Sequence, residues 1–98
     1  MKIIWSPLAI ERVSEIVDYI SQDNPAAAER WALHLFDLVE RLNEFPESGR
    51  VVPEIKRSTF REILTGNYRV IYKIEGNEVF ILTVRHGKQL LPVEEILA

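Results

Sequence analysis

The chain has 98 residues, 47% of them apolar, and no cysteine, which sets aside disorder, a disulfide framework and thiolate chemistry. No apolar run approaches the roughly 20 residues that span a bilayer, and the start carries charges within its first dozen residues and no small-residue cleavage site, so a cytoplasmic protein without a membrane segment is expected. A net charge of −3 argues against a sequence-independent nucleic-acid binder.

One domain covering residues 1–98 is expected from this length. In chain order, Lys2 to Trp5 is a short apolar run that reads as a strand. Ser6-Pro7 then supplies an N-cap followed by proline at the first helical position. Ile10, Val13, Ile16, Val17 and Ile20 follow at helical spacing as an apolar stripe, with Glu11, Arg12, Glu15 and Asp18 on the wet side. Asn24-Pro25 repeats the cap-and-proline signal, so the first helix ends near Gln22 or Asp23. The second helix carries Ala28, Trp31, Leu35, Leu38, Val39 and Leu42 as its stripe and stops at Phe45-Pro46. So short a connection makes the two helices an antiparallel hairpin. Trp31 and His34 read as packing and boundary residues.

Pro46 to Thr59 is the longest irregular stretch, with Arg50, Lys56 and Arg57 forming a positive rim. Three β-rich runs follow between Phe60 and Gly87, divided by Gly66-Asn67 and Gly76-Asn77, pairs that tolerate the positive φ of tight hairpin turns. Pro92 to Ala98 suits a helical turn or two. The expected class is therefore α+β: an N-terminal strand, an antiparallel helical hairpin packed on an antiparallel sheet (β-α-α-β-β-β), and a short C-terminal helical segment.

Charge divides with structure. Met1 to Phe45 holds four basic and eight acidic residues, whereas Arg50 to Lys88 holds eight basic and four acidic. The sheet half is thus suited to an acidic protein or a few phosphates.

A two-residue turn at Gly76-Asn77 pairs Glu75 with Glu78 and fixes the register of the last hairpin. One face then carries Tyr68, Val70, Tyr72, Ile74, Val79, Ile81, Thr83 and Arg85. The other carries Arg69, Ile71, Lys73, Phe80, Leu82, Val84 and His86. The first face suits the helices. The second leaves Ile71, Phe80, Leu82 and Val84 with little of the chain beyond the C-terminal segment to shield part of that face, which implies a protein partner. For Phe60 to Leu64 two registers stay open, placing either Arg61 or Glu62 on the face of Arg69.

Trp5-Ser6-Pro7, Phe45-Pro46 through Gly49-Arg50, Pro53-Glu54, Arg61-Glu62, Tyr68-Arg69-Val70-Ile71-Tyr72 and His86-Gly87, in this order, resemble the RelE/ParE toxin superfamily. The resemblance covers nearly the whole chain and is closer to the ParE-like branch, the plasmid stabilisation proteins. It implies the toxin of a type II toxin–antitoxin pair, a growth inhibitor that poisons DNA gyrase by binding. It also implies a cognate antitoxin that wraps the toxin in a hetero-oligomer and itself supplies operator recognition, so the toxin need not contact DNA specifically. The antitoxin-facing residues on this reading are Arg61, Arg69, Ile71, Lys73, Phe80, Leu82 and Val84.

RelE-like members are instead metal-free, ribosome-dependent mRNA endonucleases. By resemblance Arg69 falls at their phosphate-stabilising arginine, but Phe60 and Glu62 stand where they have lysines. Gln89 stands at a further arginine, and the last tyrosine, Tyr72, lies far from their C-terminal one. A substitute nuclease would use Glu62 as base, Arg69 and Arg85 as clamp and His86 as acid. On the register above, Arg85 and His86 point to opposite faces. Arg69 has an equal alternative, an ion pair with an acidic antitoxin side chain or a nearby glutamate. A non-toxic relic that keeps only antitoxin binding is the third reading. No cofactor is expected, and with two histidines 52 positions apart and no clustered carboxylates at ligand spacing, no metal either.

Overall fold

The computed structural model describes residues 1–97. Strand β1 (Lys2–Trp5) leads into helices α1 (Pro7–Ser21) and α2 (Pro25–Glu40), the latter tightening into a 3-10 turn at Arg41–Asn43. Strands β2 (Arg50–Val51), β3 (Phe60–Thr65), β4 (Tyr68–Glu75) and β5 (Glu78–His86) follow, then the short helix α3 (Val93–Leu97). The sheet order is β1-β5-β4-β3-β2. This is the expected α+β arrangement with two additions. β1 joins the sheet parallel to β5, with Lys2 opposite Glu78 and Trp5 opposite Ile81. The irregular stretch also contributes the two-residue edge strand β2, with Arg50 opposite Glu62.

Both helix starts follow from their side chains. The Ser6 hydroxyl accepts from the Ala9 amide at 3.0 Å, and Asn24 Oδ1 accepts from the Ala27 amide at 3.1 Å, each with proline at the first helical position. Ser6 also donates to the Leu82 carbonyl at 3.0 Å, tying the start of α1 to β5. In α2 the buried residues Ala28, Leu35 and Val39 fall on the expected stripe. In α1 the contact line is rotated. Ala9 and Val13 are buried, whereas Ile10 is 57% exposed. The small Ala9 lets the helix approach the sheet, which turns Ile10 outward.

The main core joins Ala9, Val13, Leu35, Val39 and Leu42 of the helical layer to Val70, Tyr72, Val79, Ile81 and Val84 of the sheet. Tyr72 brings a hydroxyl into it. That hydroxyl donates to the Pro46 carbonyl at 2.7 Å and accepts from the Gly49 amide at 3.0 Å, so its polar end is satisfied and fixes the loop after α2. Gly49 is required there, because a Cβ would lie 2.5 Å from the tyrosine oxygen and 2.6 Å from the Glu62 carbonyl oxygen. Gly66 and Gly76 are required for another reason, their positive φ of 55° and 58° in the two hairpin turns.

Glu75 pairs with Glu78 as expected, but the register does not run unbroken. Tyr72 pairs with Ile81 while Ile71 pairs with Thr83, leaving Leu82 as an extra residue on β5. Such a bulge reverses the alternation beyond it. Val84 therefore faces the helices and is fully buried, not on the outer face with Leu82. Thr83 and Arg85 move from the helix side to the side of Ile71 and Arg69, and His86 moves to the side of Tyr68. For β3, Glu62 pairs with Ile71 and Leu64 with Arg69. Glu62, not Arg61, thus shares the face of Arg69.

The outer face is also less bare than its alternation implies. Val52, Phe60 and Ile71 form a second buried cluster against which Ile55, Leu82, Leu91 and Ile96 pack. The loop before β3 and the C-terminal segment together cover Ile71 completely. A surplus of uncovered apolar surface there no longer argues for a partner, although Phe80 and Leu82 keep partial exposure.

Candidate functional site

Four charged side chains converge at the β2–β3–β4 end of the outer face. Cross-strand pairing sets Arg50 beside Glu62, and the next strand brings Arg69 alongside. The Glu62 carboxylate is fully buried. It accepts from Arg50 Nε at 2.5 Å, from Arg69 Nε at 2.8 Å and from Arg69 Nη2. Arg69 turns its other edge to Glu54, with Nη1 and Nη2 donating to the two carboxylate oxygens at 2.7 and 2.8 Å. Its guanidinium is thus held from two sides by carboxylates, which is the fork geometry arginine is built for.

The protonation states follow from these contacts. Hydrogen bonding to Glu54 raises the Arg69 pKa above its ordinary value, against the opposing effect of burial. The same bonds hold the Glu54 carboxyl below its usual 4.5, with burial opposing and the Arg69 charge adding. Glu54 and Arg69 are therefore both ionised throughout the neutral range.

Each residue singled out in the sequence has a defined place. Arg61 lies opposite Tyr72 and spends its guanidinium on carbonyls, with Nε on Ser58 and Nη1 on Glu47 and Gly49, at 3.0–3.1 Å. Lys73 sits over the Phe60 ring at 5.6 Å and pairs with Glu75 at 3.0 Å. Arg85 lies cross-strand from Arg69 on the same face. His86 meets the Tyr68 ring edge to face at 5.5 Å, and its Nδ1 accepts from the Lys88 amide at 3.1 Å. That bond leaves Nε2 to carry the proton of the neutral ring. Ile71 and Val84 are buried, on opposite sides of the sheet.

A cleft of about 500 Å3 opens beside the network, lined by Arg50, Glu54, Arg69, His86 and Lys88 among others. An anion entering it would meet Arg50 and Lys88, but Arg69 is already neutralised. Glu62 has no exposed surface and is occupied by two arginines, so it cannot take a proton from a substrate hydroxyl. Of the substitute nuclease set, the structure brings Glu62 and Arg69 together as an ion pair, pairs Arg85 cross-strand with Arg69, and sets His86 along the same cleft as Arg69. Among the described residues, no group of three His, Cys, Asp or Glu side chains is placed to hold a metal ion.

Sequence reading foresaw that Arg69 could pair with a nearby glutamate but did not identify Glu62 and Glu54 as its partners, nor Arg50 as the fourth member. The signal was there in part: Arg50 and Arg69 bracket Glu54 and Glu62 in the sequence, two cations around two carboxylates. Distance and burial came only with the fold.

A two-helix layer thus packs on a mixed five-stranded sheet, with an arginine clamped between two carboxylates near the start of β4. The family described as "ParE toxin of type II toxin-antitoxin system, parDE" matches residues 3–91, and the chain belongs to that family. It is 33% identical over 90 residues to "Toxin RelE2" of Caulobacter vibrioides, spanning 91% of this chain and 98% of that one. It is 39% identical over 93 residues to "Putative toxin Y4kP" of Sinorhizobium fredii, 93% of each. The solved "Chromosomal ParDE TA system from P. aeruginosa" contains a chain of the same fold, with a TM-score of 0.71 at 19% identity over 88% of this chain and 95% of that one. This chain is therefore the toxin component of a type II toxin–antitoxin system in the RelE/ParE superfamily.

Proposed function

We propose that this toxin inhibits growth by binding DNA gyrase rather than by cutting RNA, and that a cognate antitoxin neutralises it in a cytoplasmic hetero-oligomer. The observation that carries this reading is the condition of Arg69. A phosphate-stabilising arginine must offer donors to its substrate, and here both edges are filled by Glu62 and Glu54. The sequence departures point the same way, since Phe60, Glu62 and Gln89 stand where RelE-like nucleases have cations. The antitoxin would contact Lys73, Phe80 and Leu82, the expected outer-face residues that keep exposure. Arg61, Arg69 and Ile71 would act beneath them by holding the loop, and Val84 from the helix side of the sheet.

Purified toxin added to gyrase and supercoiled plasmid should trap cleaved gyrase–DNA complexes. The same toxin added to translating ribosomes should leave mRNA intact. Codon-phased cuts in the mRNA, without trapped gyrase, would overturn the proposal in favour of the ribosome-dependent nuclease that the relative named RelE2 brings to mind. Unimpaired growth on induction without antitoxin would leave a binding relic.

A further inference from the structure

A second cleft, where α1 crosses the end of the sheet, belongs neither to the Arg69 network nor to the residues expected to meet an antitoxin. Arg12, Glu15, Ile16 and Tyr19 stand at i, i+3, i+4 and i+7, so one face of α1 carries all four. That face looks onto the end of the β4–β5 hairpin. A cavity of about 500 Å3 opens between them, walled on the strand side by Tyr68, Arg85 and His86. Its volume falls within the roughly 300–1,000 Å3 of small-molecule sites. β1 stops opposite Ile81, so β5 has no neighbouring strand at Arg85, whose side chain borders the cavity past this open edge.

The polar groups there are mostly donors. Among the described residues Arg85 has no carboxylate partner, and its Nε is shut off from solvent without an acceptor. A buried donor of this kind calls for an acceptor from outside the chain. His86 has its Nδ1 taken by the Lys88 amide and keeps Nε2–H to give. Glu15, which accepts from Arg12 at 3.0 and 3.2 Å, is the carboxylate among the described lining residues. Two arginines against one glutamate leave a single net positive charge, which suits a monophosphate rather than a triphosphate. The rest of the wall is aromatic. Tyr68 meets Trp31 edge to face at 5.2 Å and His86 at 5.5 Å, so its ring is held in place. Burial raises the Tyr68 phenol above its ordinary pKa, and the nearby phenol of the exposed Tyr19 adds to the rise. A planar base can lie against such rings, whereas an inorganic anion would leave them unused.

We propose that this cavity binds a nucleoside monophosphate. Its phosphate accepts from Arg85 and His86, its base lies against Tyr19 and Tyr68, and its ribose hydroxyls donate to Glu15. The site is separate from the Arg69 network, and the inference does not depend on which target the toxin inhibits.

Calorimetric titration of the whole chain with adenosine monophosphate tests it, beside adenosine and inorganic phosphate as the two halves of the ligand. The monophosphate should bind saturably at one to one, about tenfold or more tighter than either half. Arg85→Gln should weaken it about tenfold and leave adenosine unchanged. Tyr19→Ala, at an exposed side chain, should weaken monophosphate and adenosine alike, by about fivefold or more. Lys73→Gln, which removes a cation beside Phe60 on the other side of the sheet, should change nothing. Inorganic phosphate bound as tightly as the monophosphate would overturn the proposal, since the cavity would then hold an adventitious anion only. So would the lack of saturable binding, or an Arg85→Gln chain that melts at the wild-type temperature and binds as before. A phosphorylated trinucleotide bound tenfold more tightly than the monophosphate would also overturn it, because the ligand would then be a strand.

Discussion

Glu62→Ala removes the centre of the charge network. The carboxylate lost has no exposed surface and accepts three hydrogen bonds from two arginines. Breaking a buried ion pair from one side costs about 3–5 kcal/mol, because the partner is left desolvated without its counter-charge. Two features place this case at the lower end. Arg50 is more than half exposed and simply rehydrates, and Arg69 keeps both bonds to Glu54. The expected loss is therefore about 3 kcal/mol, which for a domain of this size lowers Tm by about 12–24 °C. Urea unfolding followed by circular dichroism measures it directly. The double variant Glu62→Leu with Arg69→Met should recover most of the loss, since the site adjoins the apolar cluster of Phe60 and Ile71 and apolar replacement of a buried pair is near neutral. A loss below about 1 kcal/mol for Glu62→Ala would refute the view that the network is buried and holds the sheet end together.

The same pairing sets an acid limit. Glu54 has its pKa held below 4.5 by Arg69, so its stabilising contribution is complete above that value and disappears as pH falls through the lower folded value. Wild type should exceed Glu54→Gln in stability at neutral pH, and the gap should close below pH 4.5; a gap independent of pH in urea titrations would contradict the assignment. Gly49→Ala forces a methyl against the Tyr72 oxygen and the Glu62 carbonyl, neither of which can retreat without breaking core or sheet. A loss of about 2 kcal/mol by thermal unfolding is expected, as for an overpacked site. Leu82→Asp places a charge at the half-buried bulge where the antitoxin is proposed to lie. Antitoxin affinity by surface plasmon resonance should fall at least tenfold while the melting temperature stays above that of Gly49→Ala, and unchanged affinity would move the antitoxin elsewhere.

Helix starts, the hairpin turns and the pairing of Glu75 with Glu78 were legible in the sequence because each depends on one or two residues with local chemistry: Ser6-Pro7, Asn24-Pro25 and the two Gly-Asn pairs. What escaped depends on contacts between distant segments. The bulge at Leu82 has no local mark, since β5 reads as an unbroken β-rich run, yet it moves Val84 into the helix-side core and Arg85 out of it. The cover over Ile71 comes from Val52 and Ile55 on one side and Leu91 and Ile96 on the other, residues that no periodicity connects. Ile10 followed the stripe pattern and still faces out, because the closer approach of Ala9 decided how α1 rolls against the sheet. At the site, Arg69 and Glu62 were both recognised as chemistry-bearing. Only their burial side by side turns a possible clamp and base into a closed ion pair.

The parallel pairing of β1 with β5 has a consequence during synthesis. Lys2 waits for Glu78, and the Ser6 hydroxyl for the Leu82 carbonyl, so the first strand and the start of α1 find their places only when the last strand has been made. Until then the oily side of the nascent hairpin lacks Val79, Ile81 and Val84, the part of its core that β5 supplies. A chain cut short before β5 therefore lacks the strand on which β1 and the start of α1 are seated.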